Sequence, residues 1–354
     1  MSLDVGSLPP PGTPGQLPPL QPRRDPVAAM LGLGLKTQAL FFRQMATMMG
    51  SGVTAIHATD TLSKNMSGRF ADVVNDLFKL LTEGRPLSEA MGAWPDYFSE
   101  FQICMVRAGE LGGHLDTRLA EVASFLERAA DRQAALITQM IYPLLVLHAA
   151  VFLPPLVRLF VSDQGSYLAA VIPGLLLLWG SLAALFFGNR LLINAPALKE
   201  GIDAVFYSLP LVGSAMRKGG MAVATRALGD LMEAGVSMSQ AIPVAARVTG
   251  STFLGKKLAG MLSPALEGQQ LSVAMRQTGL LDPVFLAILT TGEESGTVGQ
   301  ALLKVSEHLE KDYAQTQMRI AVAIPIIVML FVGALVGYQY IKFFANLYAP
   351  LNQL

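Results

Sequence analysis

One part of this chain is written twice. Arg43-x8-Gly52-Val53-Thr54 returns as Arg226-x8-Gly235-Val236-Ser237, an offset of 226 − 43 = 183 residues. The same offset carries Gly109-Glu110-Leu111-Gly112-Gly113 onto Gly292-Glu293-Glu294-Ser295-Gly296, and Glu127 onto Glu310. Between these anchors, Leu87-Ser88-Glu89-Ala90-Met91 matches Leu271-Ser272-Val273-Ala274-Met275 with one residue inserted. Register held from Arg43 to Glu127 is the mark of duplication, and a duplicated chain folds as two copies of one unit.

The content of each copy is helical. Phe41, Met45 and Met48 recur at spacings of 4 and 3, as do Ala224, Leu228 and Leu231. Gly52 and Gly235 stand where a helix ends and a left-handed residue is wanted. Thr54 and Ser237 then offer an N-cap oxygen, and Ser237-x-x-Gln240 completes the pattern of a capping box. Leu115, Leu119, Val122 and Leu126 form a later stripe that Val298, Leu302, Val305 and Leu309 reproduce. No stretch alternates convincingly at period two. The expected fold class is all-α: two homologous cytoplasmic helical bundles plus three transmembrane helices, the last helix of each bundle running on towards a span.

The spans come from uneven composition. Charged residues make up 15% of the chain, against about 25% in soluble domains, and the mean hydropathy is +0.45. The apolar excess sits in three runs, 140–161, 168–188 and 321–340. At about 1.5 Å per residue each reaches across a bilayer core of roughly 30 Å. The six residues 162–167 join the first two runs into a hairpin. Prolines 143, 154, 155, 173 and 325 lie inside the runs, where neighbouring helices can satisfy the freed carbonyls. The Pro154-Pro155 pair should bend or end the first span.

Basic residues near the span ends set the orientation. Arg128 and Arg132 precede the first run, Arg190 and Lys199 follow the second, and Lys304, Lys311 and Arg319 precede the third. The hairpin loop has none, and Lys342 alone follows the third run; Arg158 can snorkel to the interface. Both bundles are thus expected in the cytoplasm. The resulting map is a tail over 1–35, a first bundle over 36–138, a transmembrane hairpin over 139–188, a second bundle over 189–320, a third span over 321–345 and a short extracytoplasmic tail over 346–354.

Eight of the 21 prolines fall in the first 26 residues. Such a stretch buries too little apolar surface to offset ordering and should be disordered or polyproline-like. Arg23-Arg24 faintly resembles a twin-arginine signal, but Asp25-Pro26 follows it and no small-residue cleavage site does. A basic juncture between tail and bundle is the better reading.

Several function classes lack residues. The 26 basic and 26 acidic side chains balance, which argues against nucleic acid as a partner. Cys104 stands alone, so a disulfide within the chain and a cysteine-based zinc site are excluded. His57, His114, His148 and His308 never stand at an i, i+4 metal-binding spacing. Gly250-Ser251-Thr252-Phe253-Leu254-Gly255-Lys256-Lys257 nearly spells a phosphate-binding loop, yet Lys257 stands where a magnesium-binding hydroxyl is needed and a helix precedes it. Glu110 and Glu293 permit two readings, a metal or basic-partner contact or a carboxylate favoured by a helix start. His148, mid-span, reads as a proton-pathway group or as an imidazole satisfied by one hydrogen bond. No catalytic triad, paired intramembrane carboxylates or HExxH is present, so no enzyme, cofactor or metal is expected.

The paired Gly-Val-Thr/Ser turns, the Leu-Ser-x-Ala-Met segments, the Gly-Glu-x-x-Gly motifs and Tyr142-Pro143 at the mouth of the first span resemble the platform proteins of type II secretion and type IV pilus machines, the general secretion pathway protein F and pilus assembly protein C group. The resemblance covers roughly residues 36 to 350. It implies an inner-membrane protein whose bundles meet a hexameric secretion ATPase and whose spans meet pilin-like subunits, other inner-membrane assembly proteins and lipid. Self-association is also implied. On this reading Gly52, Gly235, Gly109, Glu110, Gly113, Gly292, Glu293, Gly296, Tyr142 and Pro143 are structural or partner-contact residues. The rival readings are a membrane transporter, which needs polar groups converging at mid-membrane where only His148 is found, and a membrane-anchored signalling receptor.

Overall fold

The computed structural model describes residues 20–23, 25, 34–156, 164–191 and 205–348. Every regular element among the described residues is a helix, and the chain forms two compact units, Met1–Arg128 and Ala129–Leu354. The hydrophobic periodicity read in both copies is therefore matched by an all-α fold.

The first unit holds α1 (Leu35–Gly50), α2 (Ala55–Asn65), α3 (Arg69–Thr82), α4 (Leu87–Gly92), α5 (Glu100–Gly112) and the start of α6 (Leu115–Phe152). Its core is aromatic. Phe41 and Phe42 of α1 are fully buried, with Phe70, Phe98 and Phe101 nearly so. Phe41 meets Phe42 and Phe70 edge-on at centroid separations of 5.2 and 5.5 Å, a geometry the ring quadrupoles favour. Each such ring contributes about 1.5–3 kcal/mol through burial. Leu119, Val122 and Leu126 of α6 complete this core.

The second unit takes in the rest of α6, then α7 (Gln164–Leu191), α8 (Pro210–Glu233), α9 (Met238–Val248), α10 (Thr252–Ala259), α11 (Leu262–Leu266), α12 (Leu271–Thr278), α13 (Pro283–Glu294) and α14 (Val298–Tyr348). Its core is built from smaller side chains, among them Ala224, Ala227, Leu228, Ala241, Ala245, Leu302 and Val305. Helix α8 lies along α14, and the contact is close because Gly219 has no side chain: a Cβ there would come within 2.8 Å of the Tyr313 ring.

Both α6 and α14 run on from buried stripes into apolar segments. Among the described residues one helix, Leu115–Phe152, is long and apolar enough to cross a bilayer, and only 6% of its most apolar 18 residues are buried. A buried core helix would not leave that surface bare. The run 168–188 lies within α7, where a shorter apolar stretch spans Tyr167–Ser181. The run 321–340 lies within α14, which stays helical past Pro325. The expected bend or stop at Pro154-Pro155 takes the form of a stop: α6 ends at Phe152 and a 3-10 turn follows over Pro154–Leu156. Of the first run, expected to reach 161, the described part is α-helical to 152 and 3-10 over 154–156. The expectations for 1–19, 157–161, 192–204 and 349–354 fall outside the described residues.

Candidate functional site

The repeated motifs form the same small apparatus in each copy. Gly52 follows α1 at φ 87° and Gly235 follows α8 at φ 79°, left-handed values that cost a residue with a Cβ about 1–2 kcal/mol. Beyond them the amide of Val53 donates to the Met48 carbonyl at 3.0 Å, and that of Val236 to Leu231 at 2.9 Å. These bonds close the helix ends as Schellman turns.

The second motif reverses the chain between two helices that touch. Gly113 and Gly296 are left-handed at φ 73° and 71°. His114 N–H then donates to the Gly109 carbonyl at 3.1 Å, and Thr297 N–H to Gly292 at 2.7 Å. Both receiving glycines sit where α5 meets α6 and α13 meets α14. A Cβ on Gly109 would lie 2.9 Å from the Leu115 Cα, and one on Gly292 would overlap the Ala301 methyl.

Glu110 and Glu293 occupy the last turns of α5 and α13, not a helix start of their own. Each carboxylate reaches across to the start of another helix. Glu110 accepts from Ser88 N–H at 3.2 Å and from the Ser88 hydroxyl at 2.5 Å. Glu293 accepts from Leu271 N–H and from Ser272 N–H at 3.1 Å. The residues flanking those starts, Pro86 and Gln270, supply no side-chain cap. The carboxylates therefore satisfy amide donors that α4 and α12 leave open, and their charge suits the positive helix ends. Among the described residues no group of three His, Cys, Asp or Glu side chains could hold a metal.

Tyr142 and Pro143 lie in α6 and line two clefts of the second unit. Tyr142 lines an apolar cleft of about 400 Å³ with Ala149, Pro325 and Met329. Pro143 lines one of about 190 Å³ with Met216, Tyr313 and Ile320. His148 Nδ1 donates to the Leu144 carbonyl of its own helix at 2.7 Å, and its ring stands edge-on to Trp179 at 5.7 Å. At the near phosphate loop, Ser251 accepts from Leu254 N–H at 3.4 Å to open α10, while Lys257 lies over the Phe253 ring and donates to the Thr278 carbonyl. The capping box expected at Ser237 is not formed, because Ser237 Oγ pairs with Ser239 Oγ at 3.1 Å. A complete box stands at Ser99 and Gln102 instead, where the same Ser-x-x-Gln spacing was available to be read.

The charged anchors of the repeat also bind each unit. Arg43 makes a forked pair with Glu127, Nε to Oε1 at 2.9 Å and a terminal nitrogen to Oε2 at 2.6 Å. The hydrogen bond raises the Arg43 pKa and lowers that of Glu127. In the second unit Glu310 pairs with Arg132 at 2.8 Å, and Arg226 turns to Asp230 at 3.3 Å.

A family model described as type II secretion system protein F matches the chain twice, over residues 41–162 and 224–344. The chain belongs to that family. The two matches start 224 − 41 = 183 residues apart, the offset of the internal repeat, so each match takes in one copy of the apparatus and the apolar helix that follows it. Members similar to this chain carry two kinds of name. The type IV pilus assembly protein PilC of Thermus thermophilus is 28% identical over 91% of this chain and 84% of its own length. PilC of Pseudomonas aeruginosa is 25% identical over 95% of both. The type II secretion system protein F of Xanthomonas campestris is 28% identical over 89% of this chain and 82% of its own. Residues 1–40 lie outside both matches to the protein F family.

Proposed function

We propose that this chain is an inner-membrane platform protein of a type II secretion or type IV pilus machine. In this role it couples a cytoplasmic hexameric ATPase to the insertion of pilin-like subunits into a filament. The observation that carries the reading is the path of α6 and α14: each leaves a bundle core and continues as one helix into an apolar segment. Such a helix, continuous through Pro143 in α6 and Pro325 in α14, can carry a push on the bundle to the membrane end through its hydrogen-bonded turns. The chain spans the membrane three times, at the end of α6, along α7 and at the end of α14, with both bundles in the cytoplasm. The excess of basic residues on that side supports the orientation.

The repeated glycines and the two capping glutamates hold the bundles in shape, and Tyr142 and Pro143 fit α6 against α14 within the membrane. The role is mechanical and not enzymatic, which suits the assembly and secretion names of the relatives. Other inner-membrane assembly proteins, lipid and further copies of the chain complete its surroundings.

Co-purification from membranes tests the coupling: a secretion ATPase and a pilin-like protein should be recovered together with the chain. Recovery of neither, with measurable solute flux in reconstituted vesicles, would favour a transporter instead. Protease added outside intact spheroplasts tests the topology and should spare both bundles.

A further inference from the structure

The first unit carries contacts that the internal repeat does not account for. Arg23 pairs with Asp76 of α3 and lies over the indole of Trp94, 5.7 Å from its centroid. The Trp94 Nε1–H donates to the same Asp76 carboxylate at 3.1 Å. Arg23 N–H donates to the Ala93 carbonyl at 2.8 Å, so backbone as well as side chain is held. Two residues on, Asp25 N–H donates to Asp96 at 3.0 Å. The Asp25 carboxylate accepts from the Tyr97 hydroxyl at 2.7 Å and from Arg69 at 3.0 Å.

Arg23 and Asp25 thus both contact the bundle, and the prolines at 22 and 26 restrict the backbone of the residues before them. A restricted segment loses less entropy on docking. The receiving surface is special to the first copy. Tyr97 maps onto 97 + 183 = 280 or 97 + 184 = 281, a leucine under either register. Asp76 maps onto Ala259 or Gly260, Trp94 onto Gln277 or Thr278, and Arg69 onto Thr252 or Phe253. The second copy keeps the fold without an acid, an indole, a phenol or a guanidinium at these places.

We propose that the first bundle carries a docking site for an Arg-x-Asp segment, and that the chain's own Arg23 and Asp25 occupy it as a releasable clasp. The clasp ties the proline-rich tail to one bundle only and covers the Trp94–Tyr97 edge while it is closed. Arg23 is half exposed, so salt weakens its hold. The occupant recognised is a segment with an arginine two residues before an aspartate. A competing segment of that pattern opens the clasp.

The test uses the full chain in detergent, with Cys104→Ser and a fluorophore on Gln21→Cys, an exposed position two residues before Arg23. Label anisotropy should be high in this parent. It should fall part of the way towards that of a free peptide in Arg23→Glu and in Asp76→Asn, where the Asp25 contacts remain, and fall gradually as salt is raised. An excess of the six-residue peptide Leu-Gln-Pro-Arg-Arg-Asp should lower it in the parent, whereas the same peptide with its arginines reversed to glutamate should not. Asp76→Asn keeps an amide oxygen that can accept from Trp94 while losing the charge, and the charge-reversed pair Arg23→Glu with Asp76→Arg guards against simple misfolding. Recovery of anisotropy in that pair supports the clasp. Equal anisotropy in the parent and Arg23→Glu, or no recovery in the reversed pair, overturns it.

Discussion

The two copies of the bundle agree where the backbone has no choice and differ where it has. Gly52, Gly109 and Gly113 keep their partners Gly235, Gly292 and Gly296, with matching left-handed angles or matching close contacts. Glu110 and Glu293 cap equivalent helices from equivalent places. Away from these points the chemistry parts company. Phe41 faces its core where Ala224 faces the other, and the forked pair of Arg43 and Glu127 is not repeated by Arg226 and Glu310. The lesson is that a few positions define this bundle and the remainder is free to serve different contacts in each copy.

That comparison is most easily broken at the tight glycines. Gly292→Ala puts a methyl into Ala301 and Gly109→Ala puts one against the α6 backbone. Overpacking of this kind costs about 1–3 kcal/mol, with Gly292 at the upper end because Ala301 has no flexible atoms to yield. Thermal unfolding of each variant in detergent should show a lowered midpoint, and hydrogen exchange should rise only in the bundle that carries the change. A silent Gly292→Ala would mean that the crossing of α13 and α14 is looser than described.

The capping carboxylates come next. Glu110→Ala and Glu293→Ala should each cost about 0.5–2 kcal/mol, as loss of an N-cap does, and speed amide exchange at Ser88 or at Leu271 and Ser272. Equal losses would show one device used twice. A loss confined to Glu110 would show that the Ser88 hydroxyl, bonded only there, carries the effect.

Tyr97 separates the copies again. Burial, with help from Asp25, pushes its pKa up to about 12 from an ordinary 10. The folded state therefore favours the neutral phenol. Its contribution is complete below pH 10, shrinks as the unfolded chain ionises, and is lost as pH rises through about 12. Tyr97→Phe should cost about 1.5 kcal/mol at neutral pH through the lost bond to a charged acceptor. The gap between variant and parent should narrow above pH 10, which thermal midpoints taken across that range would reveal. The second bundle, with leucine at this place, should show no matching drift.

What the sequence made legible follows from range. The turns at Gly52 and Gly235 are local: the next few residues decide them, and the pattern is visible within ten positions. The stripes of α6 and α14 are local in the same sense. The Glu110 cap joins residues 110 − 88 = 22 apart, and the Tyr97–Asp25 bond joins residues 97 − 25 = 72 apart, so no short window contains either. Ser99 and Ser237 mark a different limit. Both open a Ser-x-x-Gln pattern, but Ser239 offers Ser237 a competing hydroxyl, and such local competition between side chain and backbone decides which box closes.

The smallest effect belongs to the ion pairs, and it probes divergence most directly. Glu127 and Glu310 are equivalent by position, 127 + 183 = 310, yet Glu127 holds Arg43 of α1 and Glu310 holds Arg132 of α6. Arg43 and Glu127 are 40% and 44% exposed, so solvent screening leaves the pair worth about 0.2–1 kcal/mol. Because Arg43 lowers the Glu127 pKa, that stability is present above about pH 4.5 and is lost as pH falls through the depressed value. Arg43→Ala should thus remove a small, salt-sensitive increment and flatten the acid limb of the first bundle's unfolding. Arg226→Ala, at the matching position, should leave Glu310 paired with Arg132. If Arg226→Ala instead released the Glu310 carboxylate as Arg43→Ala releases that of Glu127, read from their carboxyl resonances, the two copies would share an electrostatic design after all, with their divergence confined to the aromatic core and the Arg23 clasp.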